Sequence, residues 1–259
     1  MGLLSFLREP QDENLDAPST TWRHREIILN KEFLRKVYLS WYERLLDVVP
    51  HLPEGRMVEI GSGGGFLKTL DSRILTSDIL ETGSCDLTFS ADAMPFEDDS
   101  LTAIMMVDVL HHLPDCRKFF SEAQRVLKPG GKIVMIEPAN TPFSRFIYKN
   151  FHHESFDPSA QDWQFVSAGP LSGANGALPW ILFNRDAGKF AADFPLLECQ
   201  RIELHTPFAY LLSGGLSFKS FLPGGLFALV ESLERLLSPL NGLLAMFQTI
   251  VVGKRSKDA

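Results

Sequence analysis

Val58-Glu59-Ile60 runs into Gly61-Ser62-Gly63-Gly64-Gly65, so a carboxylate ends an apolar run and glycine follows at alternate positions. Without Cβ atoms such a turn lets a ligand lie against the backbone. The free N–H groups that open a following helix suit an anion. A glycine turn that serves only the chain's own geometry has the same spelling. A second acid, Asp78, closes the next apolar run, where it can accept from both hydroxyls of a ribose. Asp92, in Ala91-Asp92-Ala93-Met94-Pro95-Phe96, can accept from an exocyclic amino group, with a neighbouring backbone N–H facing a ring nitrogen. Each of these acids taken alone reads equally well as a turn or surface residue. His111 and His112 follow the fourth apolar run, and imidazole titrates near neutrality, as a base for a hydroxyl nucleophile must. Of the pair, His111 is expected to face a pocket and His112 to pack, though both also read as helix-start residues. Glu137, at the end of the fifth run, is a second base candidate, and His152 in His152-His153-Glu154 is a third. Adjacent histidines rarely share a metal on a regular element, and no CxxC or Cys/His cluster is present, so no metal site is expected.

These groups need elements to carry them. Residues 1–20 read as a loose leader, polar and acidic after its first few residues. Leu34, Val37, Tyr38, Trp41, Leu45 and Val48 then recur at helical spacing, predicting one or two amphipathic helices over 21–54. Strands are predicted at 56–60, 73–77, 85–90, 101–107 and 132–136. A helix over 118–127 stops at Lys128-Pro129-Gly130-Gly131. Alternating strands and helices mean a parallel sheet with crossover helices. The segment 138–197 is irregular and reads as a substrate-side insertion. Alternation returns at 198–205 and 247–252. Between them 206–246 is greasy but broken by Gly214-Gly215, Pro223-Gly224-Gly225 and Pro239, too interrupted for a membrane span.

The 259 residues are 45% hydrophobic and 22% charged, which excludes wholesale disorder. The net charge of −7 argues against a nucleic-acid groove, which needs a basic footprint. Cys85, Cys116 and Cys199 fit reduced thiols. The N-terminal apolar stretch is too brief for a signal peptide, and Phe6 stands where myristoylation needs Ser or Thr. A cytoplasmic protein, with peripheral membrane contact as an option, is expected.

Taken in order, E-I-G-S-G-G-G at 59–65, S-D-I at 77–79, A-D-A-M-P-F at 91–96, D-S-L-T-A-I at 99–104, V-D-V-L-H-H-L at 107–113 and E-A-Q-R-V-L-K-P-G-G at 122–131 resemble the class I S-adenosylmethionine-dependent methyltransferases, in the small-molecule, ubiquinone-methylating branch. The resemblance covers about 55–137. It implies a doubly wound, mostly parallel seven-stranded α/β sheet, with 198–205 and 247–252 as a closing antiparallel hairpin around a helical insertion. The whole of 21–259 would then be one domain. Carried over residue by residue, Glu59 would hold the cofactor's ammonium, and Gly61, Ser62, Gly63 and Gly65 would admit its methionine part. Asp78 would bind the ribose, Asp92 with Ala93 and Met94 the adenine, and Asp108 would border the methyl group. The cofactor would be S-adenosylmethionine, leaving as S-adenosylhomocysteine. The acceptor would be a small molecule, with lipid-linked and polysaccharide-precursor compounds as options. The short segment between Gly65 and Asp78 predicts a first crossover helix of only two turns. For 206–246 three readings stand: a cap on the sheet, a homodimer surface, or a surface for a membrane or lipid-linked substrate. Two other functions compete: a binding module that kept the pocket without catalysis, and a nicotinamide oxidoreductase, for which the third glycine is wrongly spaced.

Overall fold

The computed structural model describes residues 8–9, 16–152, 154–167, 169 and 173–256. Most of the expected leader falls outside them. Of the described part, Arg8 bridges Phe218 and the Glu9 amide donates to the Ser217 carbonyl, while Thr20 is already buried in the first helix.

Seven strands form one sheet in the order β3-β2-β1-β4-β5-β7-β6. They are β1 (Arg56–Glu59), β2 (Ile74–Asp78), β3 (Leu87–Thr88), β4 (Leu101–Val107), β5 (Leu127–Pro138), β6 (Leu197–His205) and β7 (Phe247–Lys254). The pairs from β3 through to β5 are parallel, and β7 runs antiparallel to both β5 and β6. β4 lies at the centre, and its Leu101 to Met106 are all buried, as a strand covered on both faces requires.

Two helices precede the sheet. α1 (Pro18–Asn30) opens on proline, whose missing N–H costs nothing in the first turn. α2 (Glu32–Leu46) buries Phe33, Leu34, Val37, Tyr38, Trp41, Tyr42 and Leu45 on one face. α3 (Cys116–Val126) starts where the Asp115 carboxylate accepts from the amides of Arg117 and Lys118. α4 (Pro142–Phe151) carries a reciprocal cap between Thr141 and Ser144. After the short helices α5 (Leu178–Trp180) and α6 (Ala187–Asp193), the 206–246 insertion folds as α7 (Ala209–Leu212), α8 (Phe227–Leu236) and α9 (Asn241–Leu244). Among the described residues no helix is long and apolar enough to cross a membrane.

Two local expectations change. The two-turn crossover after the glycines is a single 3-10 turn, Leu67–Thr69, because the chain must reach β2 within a few residues. Lys128-Pro129-Gly130-Gly131 ends the helix but does not lie outside the sheet. β5 begins at Leu127 and passes through it, with a register break against β4 and Gly130 at φ +81°.

Candidate active site

A cavity of about 520 Å³ opens at the carboxyl ends of β1 and β4, within the range of small-molecule sites. One side is the glycine turn. Gly61 and Gly63 have φ of +63° and +46°, and a Cβ on Gly61 would meet Val109 Cγ2 at 2.6 Å, so side chains are excluded on both counts. The turn is tied to β2: the Ser62 amide donates to the Ser77 carbonyl and the Gly63 amide to Asp78 Oδ2 at 3.0 Å. Helix α1 closes over this turn. A Cβ on Gly64 would stand 2.5 Å from the Arg25 backbone nitrogen, and the Arg25 guanidinium donates to the Gly65 carbonyl.

Glu59 lies at the floor, 3% exposed, and its Oε2 has no hydrogen-bond partner among the described residues. Burial pushes its carboxyl up to about 7, against a lowering hydrogen bond from Ser62, with the Asp78 charge adding to the rise. An orphaned buried acid of this kind calls for a cationic ligand. Asp78 sits just beyond Gly63 rather than in the cavity wall, with Oδ1 accepting from the Leu80 amide at 2.9 Å. Asp92, Ala93 and Met94 lie outside the wall as well. The two amides expected to face adenine are already engaged, Ala93 with the Ser90 carbonyl and Met94 with Glu122 Oε1. Asp92 is exposed and accepts from the Ser90 hydroxyl.

Asp108 faces the cavity from the end of β4. It is held at φ +54°, a region that non-glycine residues reach at a cost and that concentrates at functional sites. Burial pushes its carboxyl up to about 8 despite the nearby His111. His111 and His112 follow on a 3-10 turn, Leu110–His112, and both line the cavity. The expected division into one pocket histidine and one packed histidine therefore does not hold. His111 is the more buried, at 2% against 12%.

Glu137, expected as a base on the rim, is wholly buried beneath this turn. Its Oε1 accepts from the amides of Val109 and Leu110 at 3.0 and 2.7 Å, and its Oε2 pairs with His111 Nδ1 at 2.7 Å. With both oxygens committed it orients His111 and cannot reach a substrate proton. Desolvation works against a charge on His111, but Glu137 and Glu154 on either side raise its pKa well above the usual value. His112 goes the other way: burial and its charged neighbour lower it to about 4. Burial likewise opposes the charge on Glu154, yet the three neighbouring imidazoles hold its carboxyl well below the usual range. His152, exposed at the mouth, packs edge-on against Tyr148 and accepts from the Glu154 amide. His153 lies outside the described residues.

Spacing had not marked the rest of the cavity lining. Tyr38 from α2, Tyr148 from α4, Tyr210 from α7, Phe156, Leu216 and Phe247 form its apolar wall. They come from separate segments, and only Glu154 carried a sequence signal, as part of the His-His-Glu triplet.

The strand order decides between the two nucleoside-binding sheets. A dinucleotide-binding sheet continues from strand 5 to a parallel strand 6, whereas here the antiparallel β7 is inserted between them. Residues 58–135 match the family described as Methyltransferase domain. Residues 58–135 are a methyltransferase domain of the class I S-adenosylmethionine-dependent type. In sequence the chain is similar to the ubiquinone-methylating branch. It is 28% identical over 176 residues to a demethylmenaquinone methyltransferase of Symbiobacterium thermophilum, covering 62% of this chain and 69% of the relative. It is 26% identical over 175 residues to a ubiquinone/menaquinone biosynthesis C-methyltransferase, UbiE, of Geotalea daltonii, covering 58% and 73%. A solved geranyl diphosphate C-methyltransferase of Streptomyces coelicolor A3(2) shares the fold, with a TM-score of 0.55 at 17% identity over 96% of this chain and 90% of that one. The methyltransferase is thus an enzyme whose cofactor is S-adenosylmethionine, and the nicotinamide and non-catalytic alternatives fall away.

Proposed function

We infer that this enzyme transfers a methyl group to a small, lipid-linked acceptor, a lipid-linked polysaccharide precursor included. The observation that carries the reading is one continuous cavity. It joins the glycine turn and Glu59 at one end to the aromatic wall and the His111–His112 turn at the other, with Asp108 between them. The residues of 55–137 serve the cofactor, and 138–197 and 206–246 are substrate-side insertions of the same domain.

Bound S-adenosylmethionine supplies a methyl group already activated by its positive sulfur, so the protein's task is mainly to position the nucleophile in line with it. Ionised Glu59 takes the ammonium, and Gly61 and Gly63 let the methionine part lie on the backbone. Asp78 would accept from the ribose and Asp92 from the adenine edge, while Asp108, in the cavity wall, would border the methionine part. Glu137 is a positioning residue that fixes His111 at the acceptor end, and His152 stands at the mouth. Tyr38, Tyr148 and Tyr210 exclude water and give an apolar acceptor its contact area.

The relatives support a greasy acceptor by their names, which speak of quinone precursors and, for the fold neighbour, geranyl diphosphate. Leu229, Leu233, Leu236, Leu240 and Leu243 of α8, α9 and the turn between them support it too, since all stand exposed. Calorimetry with S-adenosylmethionine, S-adenosylhomocysteine and NAD is expected to show binding of the first two only. Methyl turnover should then rise when a polar acceptor is exchanged for its prenyl-linked counterpart. Equal turnover on both would sink the lipid-linked reading while leaving methyl transfer intact.

A further inference from the structure

His111 and His112 sit on a tight 3-10 turn, not a regular helix, so their rings lie side by side with centroids 4.3 Å apart. Nε2 of His111 is 3.4 Å from Oε2 of Glu154, and Nε2 of His112 is 3.5 Å from Oε1 of the same carboxylate. One ligand-capable atom from each residue lies within 4.8 Å of the other two. Neighbouring ligands on a tetrahedral ion with bonds of 2.0–2.1 Å stand about 3.3–3.4 Å apart.

The far nitrogen of each ring is already engaged. His111 Nδ1 meets Glu137 Oε2 at 2.7 Å, and His112 Nδ1 donates to the Gly173 carbonyl at 3.0 Å. A carbonyl oxygen only accepts, so His112 carries its proton on Nδ1 and turns the lone pair of Nε2 toward a carboxylate oxygen. Two electron-rich atoms face each other in this way in a half-buried part of the wall, and a cation between them would relieve the repulsion. The Glu137–His111 pair repeats the carboxylate–imidazole arrangement that orients metal-bound histidines. The donor set decides the class of ion. Imidazole nitrogens suit zinc and its transition-metal neighbours, whereas magnesium and calcium prefer oxygen.

We propose that His111, His112 and Glu154 bind a divalent transition-metal ion of the zinc type, with its open side on the cavity. Three protein ligands and one open position are the arrangement of catalytic zinc sites. His152, whose Nδ1 is 3.7 Å from Glu154 Oε2, stands at the open side. An anionic oxygen of the acceptor is the class of group that the open position takes. That last assignment rests on the methyl-transfer reading; the metal site itself does not.

The test uses the full chain, stripped with a chelator and titrated with Co²⁺, followed by Zn²⁺ competition. One equivalent of Co²⁺ should bind with the visible absorption of a four- or five-coordinate ion, and Zn²⁺ should displace it. His112→Ala and Glu154→Gln should each weaken Co²⁺ binding by more than the roughly 10–100-fold expected when an orienting partner such as Glu137 is lost. Thermal melts and S-adenosylmethionine calorimetry on the same variants check that they fold. If either fails to fold, stoichiometry and spectrum of the unaltered enzyme decide. No one-equivalent complex, or equal affinity in both folded variants, overturns the proposal. Because cofactor binding is read separately and without metal, that outcome would leave the methyltransferase reading standing.

Discussion

In the proposed cofactor role, Glu59 would couple the protein's own charge state to S-adenosylmethionine binding. Its carboxyl is pushed up to about 7 by burial, above the ordinary 4.5. The folded protein without cofactor therefore holds a proton that the unfolded chain has lost between those values. Glu59's contribution to stability is full below the ordinary carboxyl range and is lost as pH rises through about 7. Cofactor affinity runs the opposite way, because an ammonium binds the ionised acid. S-adenosylmethionine should bind more tightly as pH rises through about 7, with proton release below it. Calorimetry at roughly pH 6 in buffers of different ionisation heat reads that release directly. Glu59→Gln should abolish it and weaken binding; buffer-independent heats in the unaltered enzyme would contradict the assignment. Asp78 is tied instead to the turn, through the Gly63 amide. Asp78→Ala removes that acceptor along with the proposed ribose contact, so affinity should fall by more than ~10-fold, in line with charge-assisted hydrogen bonds of about 1.5–3 kcal/mol. Unchanged affinity would remove Asp78 from the cofactor site.

Helix α1 roofs the glycine turn, and that packing can be tested at the element. Gly64→Ala places a methyl group 2.5 Å from the Arg25 nitrogen and 2.9 Å from its Cα, both backbone atoms that cannot swing aside. The helix must lift or the turn must shift. Overpacking of this kind costs about 1–3 kcal/mol, so a lower melting temperature together with weaker cofactor binding is expected. A variant with wild-type melting and affinity would mean that α1 does not close on the turn in solution. The α1 contact was not legible in the sequence, where 21–54 showed only an amphipathic period. The strands were legible because their signals are local: the almost uninterrupted apolar run at 101–107 became β4 residue for residue. The placement of the acids was legible for the same reason, each standing at the end of its own strand or in the turn beyond it, but only Glu59 and Asp108 of them line the cavity. The aromatic wall was hidden, because Tyr38, Tyr148 and Tyr210 meet only once three distant segments pack. Glu137 misled for a related reason. A carboxylate at a strand end reads as a reactive group until the turn that consumes its oxygens is seen.

At the scale of the molecule, a net charge of −7 coexists with an apolar face that the fold leaves uncovered. Leu229, Leu233 and Leu236 project at helical spacing from α8, with Leu229 68% and Leu236 76% exposed, and Leu240 and Leu243 extend the face into α9. The charges of α8 are spent within the protein: Glu231 pairs with Arg235, and Glu234 accepts from the amides of Phe208 and Ala209. Among the residues of α8 and α9 the one cation is Arg235, already paired with Glu231, so these helices attract acidic lipid weakly, and the overall charge opposes it. If this face meets a membrane, apolar burial must drive the contact. Half-burying five leucines that are already partly covered is worth on the order of 5 kcal/mol before the cost of immobilisation, comparable with a single acyl anchor and hence reversible. Partial flotation with zwitterionic liposomes is expected, little changed by salt and reduced by acidic lipid. Leu229→Glu, Leu233→Glu and Leu236→Glu together should abolish flotation while S-adenosylmethionine affinity stays within about twofold, since none of the three lines the cavity. Light scattering separates the remaining occupant: a dimer that the triple variant dissolves, with no flotation in either form, would make this face a subunit interface and withdraw the membrane assignment.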